Sequence, residues 1–233
     1  MHVSLIIQAR LGSTRLPKKL LKKINNYSII EWVIIRLKKS KLANSIVLAT
    51  TINKEDDFLV KIAIKYGINY FRGDENNVLD RFSKAAESIN ADVVVRVCAD
   101  NPFVDFELVD QLIAFYLQNE YDYAFNHQAR LNNNIADGFG VEILGFSLLN
   151  SLNEVIKNFE EREHLTLHIW NNLKYFKIGA PPIPEGLTYP DLTFDIDTLE
   201  DLEKLKRLVN NCSLNIHSSA RDFIKCAVIN ERN

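Results

Sequence analysis

The chain has 233 residues, of which 47% are hydrophobic and 25% are charged, and its formal net charge is −2. This composition is typical of a globular protein with a substantial core, and no apolar run is long enough to span a membrane. The slight net acidity argues against general nucleic-acid binding. We therefore expect one large α/β domain, or one domain with a small appendage.

The amino terminus and the cysteines favour a cytoplasmic protein. Only five apolar residues, Val3–Ile7, precede the first polar side chains, which is too short a run for a signal peptide. The chain contains three widely separated cysteines and no Cys-x-x-Cys pair, so we predict reduced, buried thiols. The three residues are Cys98, Cys212 and Cys226.

Positive charge is concentrated in the first thirty residues, which contain no acidic side chain. This charge follows an apolar run and lies in a loop with Gly12 and Ser13. Glycine lets the backbone approach a ligand, hydroxyls donate hydrogen bonds and arginine donates two charged ones, so we predict a site for a multiply charged phosphate. The loop lacks both the Walker A pattern and the three spaced glycines of the dinucleotide fingerprint. The six basic residues are Arg10, Arg15, Lys18, Lys19, Lys22 and Lys23.

Strand-like and helix-like segments alternate over the first 120 residues, which predicts a mostly parallel sheet with flanking helices. A capping-box pattern at Ser28–Glu31 begins the first helix, and Gly67 is placed to end the second. The predicted helices run from Ser28 to Leu37, from about Lys54 to Tyr66, from Val78 to Ile89, and onward from Asp105. The predicted strands are Val3–Ala9, Ser45–Thr51, Ile68–Phe71 and Asp92–Cys98.

The pattern changes after residue 120, where an Asn-rich segment and a Pro-rich loop interrupt it. We interpret residues 1–233 as one α/β domain with an inserted subregion at about 120–180. The helices predicted here are Glu161–Asn171, Thr198–Val209 and Ala220–Val228. The strands predicted here are Tyr121–Phe125, Gly140–Phe146, Tyr175–Ile178 and Leu192–Ile196.

Asp100 is a candidate metal ligand, because it follows the apolar run Val93–Val97. Open α/β sheets bind ligands at the carboxyl ends of their strands, and Mg²⁺ prefers carboxylate oxygens. The alternative is that Asp100 only shapes a turn before Pro102, as Asp often does.

Asp195 and Asp197 are a second candidate, because residues two apart on an extended strand face the same side. Adjacent carboxylates repel each other unless a cation or a base lies between them. In the alternative interpretation, Asp197 is the N-cap of the next helix and Glu200 completes a capping box. His164 and His168 have helical spacing but no zinc motif, so we expect them to be partly buried or to face a substrate.

Seven motifs together resemble the spore-coat polysaccharide cytidylyltransferase family, which is similar to the acylneuraminate and Kdo cytidylyltransferases. The likeness extends over nearly the whole chain. The motifs are Ile6–Lys19, Phe71–Gly73, Asn77–Arg81, Val94–Pro102, Asp137–Glu142, Arg162–Thr166 and Asp197–Asp201.

The resemblance implies a Rossmann-like nucleotide-diphosphosugar transferase fold that couples CTP to a sugar acid and releases pyrophosphate. It implies Mg²⁺ held by Asp100 and Asp197 with Asp195 beside them. Catalysis is then expected to depend on Arg10, Arg15, Lys19 and Asp100. The implied nucleotide contacts are Gln8, Ala9, Arg10, Gly12, Ser13, Arg15, Lys19, Arg72 and Arg81.

The acceptor, a small sugar acid, is expected to contact the segments 126–142 and 162–166. The 120–180 subregion is compatible with a homodimer interface. Neither nucleic acid nor a membrane is an expected partner. The implied acceptor contacts are Asn126, Glu142, Arg162 and His164.

Three departures from the family pattern leave questions open. Lys18 replaces the usual glycine before the motif lysine, so either Lys18 or Lys19 could reach phosphate. Asn25 begins the segment that replaces a Gly-Lys-Pro turn, and we expect the turn to be kept because Asn tolerates left-handed backbone. Gly140 replaces an acidic residue. Two other functions stay open, a pyrophosphorylase for another nucleotide and a sugar 1-phosphate, and a non-catalytic nucleotide-sugar-binding domain.

Overall fold

The protein is represented by a computed structural model that describes residues 1–127 and 133–231. Short 3₁₀ turns lie at Lys19–Leu21, Lys54–Asp56 and Leu173–Tyr175. The α-helices of these ranges are α1 Ile29–Leu37, α2 Asp57–Lys65, α3 Val78–Glu87, α4 Phe106–Leu117, α5 Phe146–Val155, α6 Phe159–Glu163, α7 Leu167–Asn171, α8 Leu199–Asn211 and α9 Ala220–Glu231. The strands are β1 Val3–Gln8, β2 Lys23–Ile24, β3 Tyr27–Ser28, β4 Ser45–Thr51, β5 Asn69–Gly73, β6 Val93–Cys98, β7 Tyr123–Phe125, β8 Glu142–Gly145 and β9 Ile178–Gly179.

Seven strands of the described ranges form one sheet in the order β5-β4-β1-β6-β8-β7-β9. Strand β1 lies between β4 and β6 and is parallel to both, and β5 is parallel to β4. Strand β8 is antiparallel to β6 and to β7, whereas β9 is parallel to β7. The predicted fold class, a mixed and mostly parallel sheet with flanking helices, is confirmed.

The sheet separates two apolar cores, because successive side chains of a strand face opposite sides. Leu5 and Ile7 of β1 face the core that contains α1, α4, α8 and α9, whereas Ile6 faces the core that contains α3 and α5. No helix in the described ranges is long and apolar enough to cross a membrane.

Local signals in the first half of the chain are confirmed. Ser28 and Glu31 form the predicted capping box at the start of α1. Gly67 follows α2 with a φ of 63°, and Asn25 adopts a φ of 51° in the turn between β2 and β3. Glycine and asparagine tolerate this left-handed conformation, so both turns form without a large steric cost.

The segment Leu192–Ile196 is not a strand, contrary to prediction. Within residues 1–127 and 133–231, its strand-like pairing is limited to a single bridge between Thr193 and Asp137. Ile196 N instead donates a hydrogen bond to the carbonyl oxygen of Asp100 at 3.0 Å. Phe194 and Ile196 are buried, so their alternation reflects packing over the loops at the sheet edge. Alternating apolar residues occur in the sequence both where a segment pairs with a neighbouring strand and where it only packs over loops.

Two predictions in the 120–180 segment are wrong. The predicted helix Glu161–Asn171 is divided into α6 and α7, because His164 adopts an extended backbone with φ −108° and ψ 91°. The predicted strand Tyr175–Ile178 begins later, at Ile178, after a 3₁₀ turn. Helix α5 was not predicted at all, since we assigned only a strand up to Phe146.

The predicted reduced state of all three cysteines is wrong for two of them. Cys212 and Cys226 form a disulfide that joins the end of α8 to α9, with their Cα atoms 6.1 Å apart. The packing of α8 against α9 brings together cysteines that are fourteen residues apart, which spacing alone did not indicate. Cys98 is free, and burial raises the pKa of its thiol to about 12.

Gly140 lies close to the backbone that follows β7. A Cβ atom at this position would lie 2.3 Å from the carbonyl oxygen of Asn126 and 2.8 Å from the amide nitrogen of His127. Both atoms belong to the backbone and cannot turn away. The acidic residue usual in the resembling family would therefore require a different path for one of these segments.

We expect Gly140→Ala to lower the free energy of unfolding by about 1–3 kcal/mol, as overpacking does. Gly145→Ala is the control, because a Cβ there would meet only the Tyr116 hydroxyl at an ordinary 3.5 Å. Urea denaturation of both variants measures the difference. Equal loss of stability in the two would contradict a steric role for Gly140.

Glu31 anchors the start of α1 to α2. Its carboxylate accepts hydrogen bonds from Lys65 Nζ at 2.7 Å and from the Tyr66 hydroxyl at 3.0 Å. Burial acts to raise the pKa of Glu31, but the bonds from Lys65 and Ser28 outweigh it and lower the pKa from 4.5 to about 2. Because the folded-state pKa is depressed, the ionised carboxylate stabilises the fold above pH 4.5. This stabilisation is lost as the pH falls through the range from 4.5 to about 2.

Glu31→Gln is expected to lower the free energy of unfolding by roughly 2 kcal/mol near neutral pH. The difference from the unmodified protein should shrink as the pH falls below 4.5. Denaturant titrations at several pH values measure it. Glu87→Gln, at an exposed helical position, should change stability little at any pH. A loss that does not vary with pH would show that the charge of Glu31 is unimportant.

Candidate active site

Two adjoining cavities lie beyond the carboxyl ends of β1 and β6, where open α/β sheets place their ligands. The loop cavity, of about 320 Å³, is lined by the basic loop that follows β1. The inner cavity, of about 540 Å³, is lined by the end of β6, the 137–142 segment and residues from α6 and α7. The walls of both cavities include Arg96, Cys98, Asp100, His164 and Asp197.

Lys19 lies at the centre of this junction. Its Nζ lies 3.2 Å from Asp100 Oδ2 and 3.2 Å from Asp197 Oδ1, and it donates a hydrogen bond to the Ile196 carbonyl at 2.6 Å. Arg15 Nη1 lies 2.8 Å from the other oxygen of Asp197. The basic loop and the two predicted metal ligands are thus brought together, although residues 19 and 197 are far apart in the chain.

Asp195 adds a third carboxylate to the same place. It lines the inner cavity with Asp197, so the expectation that both face one side agrees with the structure. Burial and the neighbouring carboxylates of Asp137, Asp197 and Asp100 raise the pKa of Asp195. The alternative in which Asp197 caps the next helix is wrong, because Thr198 is the N-cap of α8 and Asp201 completes the capping box.

The structure distinguishes the two lysines that sequence reasoning left open. Lys19 is buried in the cluster, whereas Lys18 is exposed. Lys18 has a φ of 52°, in the left-handed region that glycine adopts at lower cost. The glycine usual at this position in the resembling family is explained by this conformation. A role for Lys19 in binding phosphate stays a prediction.

Most of the predicted nucleotide contacts lie together. Ala9 and Arg72, both within the described part of the chain, are outside the walls of the two cavities. Ala9 is buried, and its amide nitrogen donates to the Ala49 carbonyl at 3.2 Å. The predicted nucleotide contacts that line the loop cavity are Gln8, Arg10, Gly12, Ser13, Arg15, Lys19 and Arg81.

Arg72 and Arg81 bind parts of the protein itself. Arg72 donates to the carbonyl oxygens of Thr51 and Asn53 and pairs with Asp57 at 2.6 Å. Arg81 Nη1 donates to the carbonyl oxygen of Asp74 at 2.5 Å, and its Nε is buried without a hydrogen bond in the described residues. Arg81 therefore stabilises the turn at Asp74 and still lines the cavity.

The predicted acceptor contacts are divided between the cavity and the protein interior. His164 and Glu142 line the inner cavity, whereas Asn126 and Arg162 lie outside both cavity walls in the described structure. Asn126 Nδ2 donates a hydrogen bond to the Leu108 carbonyl oxygen at 2.7 Å, and Asn126 Oδ1 accepts one from the Val141 amide nitrogen at 2.8 Å. The predicted acceptor segment also includes residues 128–132, which lie outside the described residues.

Arg162 connects three helices of the fold. Its guanidinium donates to Asn77 Oδ1 at 3.1 Å, to the Asn153 carbonyl at 3.0 Å and to the Ile156 carbonyl at 2.6 Å. These bonds join α6 to the start of α3 and the end of α5. Its predicted contact with an acceptor stays untested.

Glu142 is the centre of a second buried network. It lies directly opposite Arg96 in the register of β6 and β8, and the two form an ion pair. The hydroxyl of Tyr123 also bonds its carboxylate, and Thr166 Oγ1 donates to it at 3.0 Å. Burial acts to raise the pKa of Glu142, but the charge of Arg96 and a hydrogen bond from His127 outweigh it and lower the pKa well below its usual range.

Arg96 is a site residue that sequence reasoning missed. It lies in the apolar run Val93–Val97, where a charged side chain is unusual unless it is paired. A charged residue within this apolar run was the sequence signal that could have identified Arg96. Its partner Glu142 is 46 residues away and was identified only by resemblance, so the pair could not be inferred from spacing.

Comparison with known proteins places this chain in a family. Residues 4–223 match the cytidylyltransferase family. The spore coat polysaccharide biosynthesis protein SpsF of Bacillus subtilis is 35% identical over 225 residues, which cover 94% of this chain and 91% of SpsF. The 3-deoxy-manno-octulosonate cytidylyltransferase of Chloroherpeton thalassium is 35% identical over 121 residues, covering 51% of this chain and 48% of that enzyme.

The overall structure leads to the same family. A cytidylyltransferase of Leptospira borgpetersenii aligns with a TM-score of 0.91 and 32% identity, covering all of this chain and 96% of the other. The mixed sheet, with its two cavities at the strand ends, is therefore the Rossmann-like fold of that cytidylyltransferase. The chain belongs to the cytidylyltransferase family, and it is a nucleotidyltransferase.

Proposed function

We propose that this cytidylyltransferase couples CTP to a sugar acid of the nonulosonate or Kdo type, giving a CMP-sugar and pyrophosphate for glycan biosynthesis. The observation that carries the proposal is the cluster of Lys19, Asp100 and Asp197 at the junction of two cavities. A reaction between two substrates requires both to meet at one charged centre. The names of the relatives, a spore coat polysaccharide protein and an octulosonate cytidylyltransferase, support this class of product.

The loop cavity suits the triphosphate of CTP. Besides Arg96, which both cavities share, four cationic side chains line it, and guanidinium groups donate paired hydrogen bonds to phosphate oxygens. Gly12 lies beside the Glu75 carboxylate, which pairs with Arg10 at 3.3 Å. A bound phosphate would compete with that carboxylate for Arg10. The four cationic residues besides Arg96 are Arg10, Arg15, Lys19 and Arg81.

The residues at the junction fit a divalent cation, although no three Asp, Glu, His or Cys side chains in the described ranges form a ready-made metal cluster. Asp100 and Asp197 already share one cation, the Lys19 ammonium. Burial, and after it the neighbouring carboxylates, raise the pKa of Asp195 beside this pair. Hard carboxylate oxygens suit Mg²⁺, so Asp100, Asp197 and Asp195 are the residues that would hold it. When bound, the metal would neutralise charge near the α-phosphate.

In the proposed reaction, an acceptor oxygen attacks the α-phosphorus of CTP as the bond to the β-phosphate oxygen breaks. His164 lines both cavities and is the group that we assign to accept the proton of the attacking hydroxyl. Arg10, Arg15 and Lys19 stabilise the departing pyrophosphate. Because no bond to the protein forms, catalysis depends on positioning and charge stabilisation.

The first test is pyrophosphate release from each of the four nucleoside triphosphates with a panel of nonulosonates and Kdo. We expect turnover with CTP and at least one acid, in the presence of Mg²⁺. Thermal shifts with each triphosphate provide an independent readout, since a ligand that binds only the folded state raises the melting temperature. Turnover of a sugar 1-phosphate with another triphosphate would instead identify a pyrophosphorylase. Tight CTP binding without any product would indicate a non-catalytic domain.

Lys19→Met and Lys18→Met form a matched pair, because the lysines are adjacent but only Lys19 contacts the carboxylates. We expect Lys19→Met to lower kcat/KM by at least about 10²-fold, as the loss of a transition-state donor does. Lys18→Met should change it by less than about threefold, since Lys18 lines neither cavity and its exposed charge is screened. Circular dichroism confirms folding of both variants. A larger loss from Lys18→Met would reverse the assignment.

A further inference from the structure

The inner cavity has an unequal distribution of charge. Among its lining residues in the described part of the chain, Arg96 is the only lysine or arginine. Several carboxylates face the same space, including Asp137, Glu160 and Asp195. A sugar acid that enters this cavity must place its own carboxylate away from these groups, because like charges at short range repel each other.

Arg96 is held rigidly from two neighbouring strands. Its Nε donates to Gln8 Oε1 of β1 at 3.1 Å, and its Nη1 binds Glu142 of β8. Glu142 is itself fixed by Tyr123 and by Thr166. The guanidinium plane is therefore set before any ligand binds, so that little conformational entropy is lost on binding.

One edge of this guanidinium makes no hydrogen bond to the described residues. Within residues 1–127 and 133–231, Arg96 Nη2 makes no hydrogen bond, although Nε and Nη1 both do. The side chain is only 18% exposed, and it lines both cavities. Burial disfavours the charged form, but the charge of Glu142 and its hydrogen bond outweigh burial and raise the pKa of Arg96, so the charge is kept. A half-buried charged donor with unused hydrogen-bonding capacity favours an anionic ligand.

We infer that Arg96 binds the carboxylate of the acceptor and selects sugar acids over neutral sugars, an inference that rests on the proposed function. The triphosphate does not require this residue, because the loop cavity contains Arg10, Arg15 and Lys19. Glu142, expected from resemblance to contact the acceptor, is on this view a positioning residue for Arg96. Both of its oxygens already accept hydrogen bonds from the protein.

The test compares acceptors that differ only in charge. Kdo and N-acetylneuraminate are each assayed with CTP beside the corresponding C1 carboxamide, using the unmodified protein and Arg96→Gln. Because Arg96→Gln leaves Glu142 buried without its cation, the double variant Arg96→Gln/Glu142→Gln is included to preserve folding. Glu142→Gln alone is the control for the loss of positioning. CTP affinity is measured for every variant by calorimetry.

We expect the unmodified protein to prefer the acid over its carboxamide by about 10- to 100-fold in kcat/KM, the value of one charge-assisted hydrogen bond. In the Arg96 variants this preference should disappear, while the Kd for CTP changes less than about threefold. A purely structural role would lower turnover of both acceptors equally and would overturn the inference. An unchanged preference for the acid would also overturn it. Absence of turnover by the unmodified protein would instead reject the proposed function.

Discussion

A single ammonium group connects three distant parts of the chain. Lys19 Nζ contacts Asp100, Asp197 and the Ile196 carbonyl, and so holds the basic loop, the end of β6 and the segment before α8 together. Two carboxylates this close would repel each other without a cation. The site is therefore assembled by charge as much as by packing, and the same negative groups that bind Lys19 are suited to a divalent ion.

The second cluster, around Arg96 and Glu142, has a different character. It is buried between β1, β6 and β8, and its carboxylate is saturated with hydrogen bonds from the protein. The Lys19 cluster is partly open, since the side chain of Asp100 is 37% exposed and that of Arg15 is 66% exposed. An open cluster can exchange partners when a ligand arrives, whereas a saturated one provides a fixed wall. The two cavities meet between the Lys19 cluster and the cluster around Arg96 and Glu142.

Strands β1, β4 and β6, the capping box at Ser28 and the turn at Gly67 were predictable, because each depends on residues within one short segment. The predictions failed where contacts between residues distant in the sequence determine the local structure. The buried alternation of Leu192–Ile196 comes from packing over loops, and the break between α6 and α7 lies at His164. The disulfide between Cys212 and Cys226 depends on how α8 packs against α9.

By itself, the sequence determined the order of strands and helices in the first half, the concentration of positive charge in the loop after β1 and the candidate carboxylates, since composition and local spacing carry that information. Only the tertiary structure decided that Lys19, not Lys18, contacts Asp100 and Asp197, and that Arg96 and Glu142 form one pair. The physical reason is that the paired residues are far apart in the sequence. Charge pairs between residues 46 to 178 positions apart depend on how distant strands and loops pack together, which no local pattern encodes.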